Sequence, residues 1–193
     1  MTADGKKETK CSVCSILTKT TKIYAAKTIQ LSKTTYAYDG KAKKPTVTVK
    51  DSKGKAIATS NYSVKYDDGR KNVGKYNVKI TFKGDYTGSK TLTFTINPKA
   101  TTLKSVTPDT KAFTAKWTKQ TTQVDGYEVE YALDDKFTSS AKKVDVNKNT
   151  TTSKQISSLK SKKTYYVRVR TYKKVGTKKY YSDWSKVLSV KTK

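Results

Sequence analysis

Leu159–Thr171, LKSKKTYYVRVRT, is the stretch on which the fold turns. From Tyr165 onward it alternates strictly: Tyr165, Val167, Val169 and Thr171 fall on one face, and Tyr166, Arg168 and Arg170 on the other. A period of two with one apolar face is a half-buried β-strand. The same period returns along the chain. Tyr76, Val78, Ile80 and Phe82 share a face, as do Leu92, Phe94 and Ile96. So do Phe113, Ala115 and Trp117, and Tyr127, Val129 and Tyr131. No window sustains the i, i+3, i+4, i+7 apolar spacing of a helix, so the chain reads as all-β.

With 193 residues the chain has room for one or two domains. A hydrophobic content of 34% is thin for one large core but sufficient for two small sandwiches. The charge is extreme: 42 Lys+Arg against 15 Asp+Glu, a net +27. Its arginines are only Arg70, Arg168 and Arg170. Arginine supplies the planar fork that reads phosphates and guanines, whereas lysine is a hydrated point charge. A lysine surface therefore attracts polyanions without reading them. There is no His, which removes the Ser-His-Asp, Cys-His and His-zinc arrangements together. No apolar run reaches the length of a transmembrane helix. Met1 precedes polar residues without a signal-peptide core, so in an exported protein this chain is a fragment of a longer one.

Residues 1–26 hold the only cysteines, Cys11 and Cys14. Zinc requires four ligands, and neither a second Cys pair nor a His is present. The pair is expected at a hairpin tip, as a small disulfide or as free thiols, with Lys7–Lys10 and Ile16–Tyr24 as the strands. No metal and no cofactor is expected. The segment also resembles the end of Cys-x2-Cys hairpin repeats that precede Ig-like modules in secreted bacterial proteins.

Residues 27–98 read as a first sandwich. Candidate strands are Thr28–Leu31, Thr46–Lys50, Tyr62–Tyr66, Lys75–Lys83 and Lys90–Ile96. Turn residues separate them at Asp39-Gly40, Asp51–Gly54, Asp67–Gly69 and Gly84-Asp85. Thr35-Tyr36-x-Tyr38-Asp39-Gly40-Lys41, Pro45-x-Val47-x-Val49 and Gly74-x-Tyr76-x-Val78-x-Ile80 resemble a bacterial Ig-like surface repeat of Gram-positive proteins. That resemblance implies a spacer or adhesion unit and no reaction. Asn97-Pro98-Lys99-Ala100 reads as the domain boundary, because Pro ends a strand.

Residues 99–193 read as a second sandwich. Candidate strands are Thr102–Thr107, Ala112–Trp117, Gly126–Ala132, Lys142–Val146, Thr152–Ile156, Thr164–Tyr172 and Tyr180–Lys191. Leu159-x5-Tyr165-x-Val167-x-Val169 resembles the tyrosine corner of the fibronectin type III family, in which the Tyr hydroxyl bonds back to upstream backbone. Trp117 stands where that family keeps its core Trp, and Tyr127 lies in a GYEVEY run from Gly126 to Tyr131 that also matches. The resemblance implies structural roles for Trp117, Tyr127, Leu159 and Tyr165.

Glu128 and Glu130 form the best carboxylate pair, about 6.5–7 Å apart on one strand face. The resemblance sets their strand beside Thr164–Tyr172, where they face Arg168 and Arg170 as an ion-pair ladder rather than as acid and base. Tyr181-Ser182-Asp183-Trp184-Ser185 resembles the Ser-x-Trp-Ser element of the same family, which implies that Trp184 lies against Arg168 or Arg170. The alternative is a ligand face of Tyr166, Arg168, Arg170, Tyr172 and Trp184 that stacks sugars or bases. Asp67-Asp68 and Asp134-Asp135 read as turn formers rather than calcium ligands.

Together these features predict two tandem Ig-like or fibronectin type III-like β-sandwiches behind a short Cys-pair hairpin. The expected protein is a monomeric, non-catalytic spacer or adhesion segment, secreted or at the cell surface. Its expected partner is an anionic cell-wall polymer or glycan, with no specific nucleic acid and no membrane span. The rival is a carbohydrate-binding module of an extracellular hydrolase.

Overall fold

The computed structural model describes residues 4–138 and 140–193, so the first three residues of the expected hairpin segment lie outside the described part. The chain is all-β, and it divides into two compact units. One comprises Met1–Tyr36, Ala42–Arg70 and Lys75–Thr95; the other comprises Ala37–Lys41, Lys71–Gly74 and Ile96–Lys193. No helix among the described residues is long and apolar enough to cross a membrane.

The first unit opens with an antiparallel hairpin of β1 (Gly5–Lys10) and β2 (Leu17–Ile23), which pair as a two-stranded sheet. Nearly every side chain on these strands is exposed. A two-stranded ribbon without an apolar face is marginal alone, and polar ties hold this one. Asp4 Oδ1 accepts from Ala25 N (2.9 Å) and Ser52 Oγ (3.1 Å), and Lys7 pairs with Asp85 at 2.8 Å. The backbone hydrogen bond from Ala25 to Asp4 holds its carboxyl below the usual carboxylate range.

Strands β3 (Ala26–Leu31), β4 (Thr35–Ala37), β5 (Val47–Asp51), β6 (Tyr62–Tyr66), β7 (Gly74–Phe82) and β8 (Ser89–Asn97) follow. They form a β3-β5 ribbon and a sheet of order β4-β8-β7-β6. Val49, Val78, Ile80 and Phe94 are buried. Tyr36 meets Phe94 edge-on at 5.8 Å, and Tyr76 stacks on it at 5.5 Å. The three-residue β4 is too short to show a period, and pattern alone does not reveal it.

The second unit contains β9 (Leu103–Asp109), β10 (Ala112–Trp117), β11 (Gly126–Ala132), β12 (Lys142–Val146), β13 (Ser153–Ile156), β14 (Thr164–Val175), β15 (Lys178–Tyr181) and β16 (Leu188–Lys191). One sheet has the order β13-β10-β9. The other runs β12-β11-β14-β15, with β16 also pairing β14. The core lies between them: Phe113, Ala115 and Trp117 from β10, Tyr127 and Val129 from β11, and Tyr165, Val167 and Val169 from β14. Trp117 and Tyr127 pack with ring centroids 5.2 Å apart.

The expected final strand, Tyr180–Lys191, is in fact two strands. Ser182 to Val187 leave the ladder, because serine hydroxyls rather than backbone carbonyls receive part of the β14 edge. Thr171 N–H donates to Ser182 Oγ and Val169 N–H donates to Ser185 Oγ, both at 3.0 Å. Strand β14 nevertheless stays tied, since Ser182 N–H donates to Thr171 O (3.0 Å) and Ser185 N–H to Val169 O (2.9 Å).

Candidate functional site

The β11–β14 register sets Glu128 opposite Arg170 and Glu130 opposite Arg168. Arg168 Nε and Nη2 reach Glu130 Oε2 at 2.6 and 2.5 Å. Arg170 Nε and Nη2 reach Glu128 Oε1 at 3.0 and 2.7 Å. Lys143, on β12 opposite Glu130, adds a contact to Glu130 Oε1 at 3.6 Å.

Aromatic rings stack over and between the guanidinium groups. Phe137 lies 4.0 Å from the Arg168 guanidinium carbon, and Trp184 lies 4.5 Å from that carbon and 4.2 Å from its Arg170 counterpart. Tyr181 closes the far side of Arg170 at 3.8 Å. The order is thus Phe137, Arg168, Trp184, Arg170, Tyr181. Guanidinium planes stack on ring faces in this way because the ring quadrupole attracts the cation. The serine-bonded segment after β15 puts Trp184 between the two arginines. The stack buries the acids beneath it: Glu128 is 6% exposed and Glu130 4%. These are buried ion pairs, not the solvent-exposed ladder that strand parity suggests.

Trp184 touches both arginines, where the sequence leaves the choice between them open, and Tyr181 caps Arg170 on the side away from Trp184. Phe137 is the member that sequence reasoning missed. It comes from the loop after β11, at φ +57°, beyond any strand period. The turn that presents it is built by Asp134, whose Oδ1 accepts from Thr138 N at 2.9 Å and from Thr138 Oγ1 at 3.1 Å. Asp67 is spent similarly, its Oδ2 accepting from Asn77 N and Nδ2.

Tyr172 requires a correction. Strand parity assigns it to the exposed face with Tyr166, but it is 1% exposed and cannot meet a ligand. Tyr181 packs edge-on against its ring at 6.3 Å, and its hydroxyl donates to Asn147 Oδ1 at 2.6 Å. Burial pushes its phenol pKa up. Tyr166 is half-buried opposite Ala132 and Ser189, one step along β14 from the stacked arginines.

Leu159 and Tyr165 are both buried, and Lys160 N–H donates to Tyr165 Oη at 3.0 Å. Tyr127 Oη accepts from Gln120 N at 2.7 Å and donates to Asn149 O at 2.9 Å. Replacing Tyr165 by Phe removes the acceptor of Lys160 N–H and is expected to cost about 1 kcal/mol. Urea unfolding checks this; an unchanged midpoint would show that water replaces the hydroxyl without loss.

Cys11 and Cys14 are free thiols at the β1–β2 tip. Ser15 N–H donates to Cys11 O and Cys11 N–H to Ile16 O, closing the tip. The backbone N–H of Cys14, then its side chain and the N–H of Val13, bring the Cys11 thiol down to about 7. The thiolate is the nucleophile, so alkylation of Cys11 by iodoacetamide should be half-maximal near pH 7. Peptide mapping across pH checks it, and a half-point near 8.5, that of an ordinary thiol, counts against it.

The fold of the second unit, two facing antiparallel sheets with a buried Trp and a Tyr whose hydroxyl accepts from upstream backbone, is an Ig-like β-sandwich. Residues 96–188 match the family model described as Fibronectin type III domain. Among solved structures, one titled "Myokine structure" shares 18% identity over 49% of this chain and 97% of its own, at a TM-score of 0.40. The FN1–FN3 domains of chicken CNTN1 share 17% over 98% of this chain and 75% of theirs, at 0.43. A beta-1,2-glucanase from Parabacteroides distasonis shares 15% over 60% of this chain and 17% of its own, at 0.40. At such scores none of the three bears on function. No curated protein matches the sequence.

Proposed function

We propose that the chain is a non-catalytic spacer or adhesion segment of a secreted or surface-attached bacterial protein. Residues 1–26 would be its Cys-pair hairpin, 27–98 its Ig-like repeat and 99–193 its fibronectin type III-like domain. The observation that carries the reading is how the polar groups of the β11–β14 face are used. Glu128 and Glu130 are covered and bound by Arg170 and Arg168, whose planes are in turn occupied by Phe137, Trp184 and Tyr181. A catalytic carboxylate has to reach a substrate, and a sugar platform needs an uncovered ring face. Here both are spent on bracing the sheet.

What remains for partners is the lysine surface and the net +27. Its attraction to anionic cell-wall polymers is long-ranged and indifferent to sequence or sugar identity. The test is a pull-down on purified Gram-positive cell walls from low to high salt. The reading predicts binding that disappears near physiological salt, as screening shortens to about 8 Å. Retention at high salt, competed by a neutral glycan, would instead support a carbohydrate-binding module.

A further inference from the structure

We propose that the β1–β2 tip is a two-thiolate half-site for a soft metal ion, with zinc as the probe, completed by the same tip of a second copy of this chain. Three observations meet there. First, Cys11 and Cys14 sit side by side as free thiols in a closed knuckle, held by the Ser15 N–H to Cys11 O and Cys11 N–H to Ile16 O bonds.

Second, the pair is incomplete. Among the described residues no third Cys, His, Asp or Glu joins it, while a structural zinc takes four ligands in a tetrahedron. Two knuckles supply four sulfurs. Third, the tip is bare and apolar. Val13 is 92% exposed, Ile16 66% and Leu17 50%, which places three of the six exposed large apolar side chains among the described residues at the tip and the start of β2. A protein rarely leaves such a patch uncovered, and a second tip would cover it while bringing in its sulfurs.

Assembly forms four zinc–sulfur bonds and releases the thiol protons to solvent, with no change of oxidation state. Lys10, opposite Leu17, and Lys19, opposite Thr9, flank the tip and oppose the approach of a second copy. Near-physiological salt screens that repulsion.

The experiment is a zinc titration of the whole chain kept reduced, followed by sedimentation equilibrium and repeated with cobalt as a spectroscopic stand-in. The expected result is one zinc per two chains, a doubled mass that a chelator reverses, and the charge-transfer absorption of a cobalt–thiolate site. Cys11→Ser and Cys14→Ser should each abolish the mass change. Val13→Lys, which alters only an exposed side chain, should weaken dimerisation at least tenfold. Zinc bound one per chain with unchanged mass, no zinc retained, or a dimer that survives the chelator would each overturn the proposal.

Discussion

Arg168→Ala lowers the stability of the second unit by about 3–5 kcal/mol, the cost of removing one partner from a buried ion pair. The carboxylate it leaves behind is only 5% exposed, and its remaining cation, Lys143, is half in solvent at 3.6 Å. The substitution also removes the slab between Phe137 and Trp184, so two stacking contacts go with it. Arg168→Lys should recover little, since an ammonium has neither the fork that meets Glu130 nor a plane to stack. The paired change Arg168→Met with Glu130→Met should recover most of the loss. A buried ion pair contributes little net stability over an apolar pair, although half of one is costly. Equilibrium urea unfolding of the four proteins checks this. A double variant as unstable as Arg168→Ala would show that the face is held by something other than charge pairing.

Gly126→Ala is expected to cost about 3 kcal/mol, at the severe end of overpacking. The reason is space rather than backbone conformation. A Cβ at this position would stand 2.1 Å from Val146 O, 2.7 Å from Tyr172 Oη and 2.9 Å from Tyr172 Cζ. Gly126 pairs with Tyr172 across the β11–β14 ladder, and the buried phenol lies over it to reach Asn147. The closest obstacle is a backbone carbonyl of β12, which cannot swing aside as a side chain can. Truncating Tyr172 in the same chain should therefore not rescue Gly126→Ala. Rescue by that second change would place the conflict in the ring alone.

Both predictions depend on β14, and β14 is also where the sequence is most legible. Strict alternation from Tyr165 identifies a strand with Val167 and Val169 inward. Setting Gly126–Ala132 beside it brings Glu128 and Glu130 to Arg170 and Arg168. Parity assigns a side chain to a face, however, and says nothing about what covers that face. That is why Glu128, Glu130 and Tyr172, all outward by parity, are buried. Their cover comes from Phe137 in a loop and from Trp184 in a segment held by serine side chains, neither of which carries a period. The split between β15 and β16 escapes pattern for the same reason: serine hydroxyls take over part of the hydrogen bonding to β14. In the hairpin, the Asp4 contacts to Ala25 and Ser52 join residues about 20 and 50 positions apart, beyond the reach of turn chemistry.

We propose that the charged and aromatic face is a brace, and that attraction to partners resides in the lysines. Trp184→Ala tests it most directly. Trp117 and Trp184, the chain's two tryptophans, both belong to the second unit. Fluorescence of the remaining Trp117 therefore follows the unfolding of that unit in the variant. With stacking on two guanidinium groups removed, stability should fall by about 2 kcal/mol, while low-salt retention of the folded variant on purified cell walls stays at the level of the parent chain. Unchanged stability together with lost retention would show that the face is no brace and make Trp184 part of a binding site.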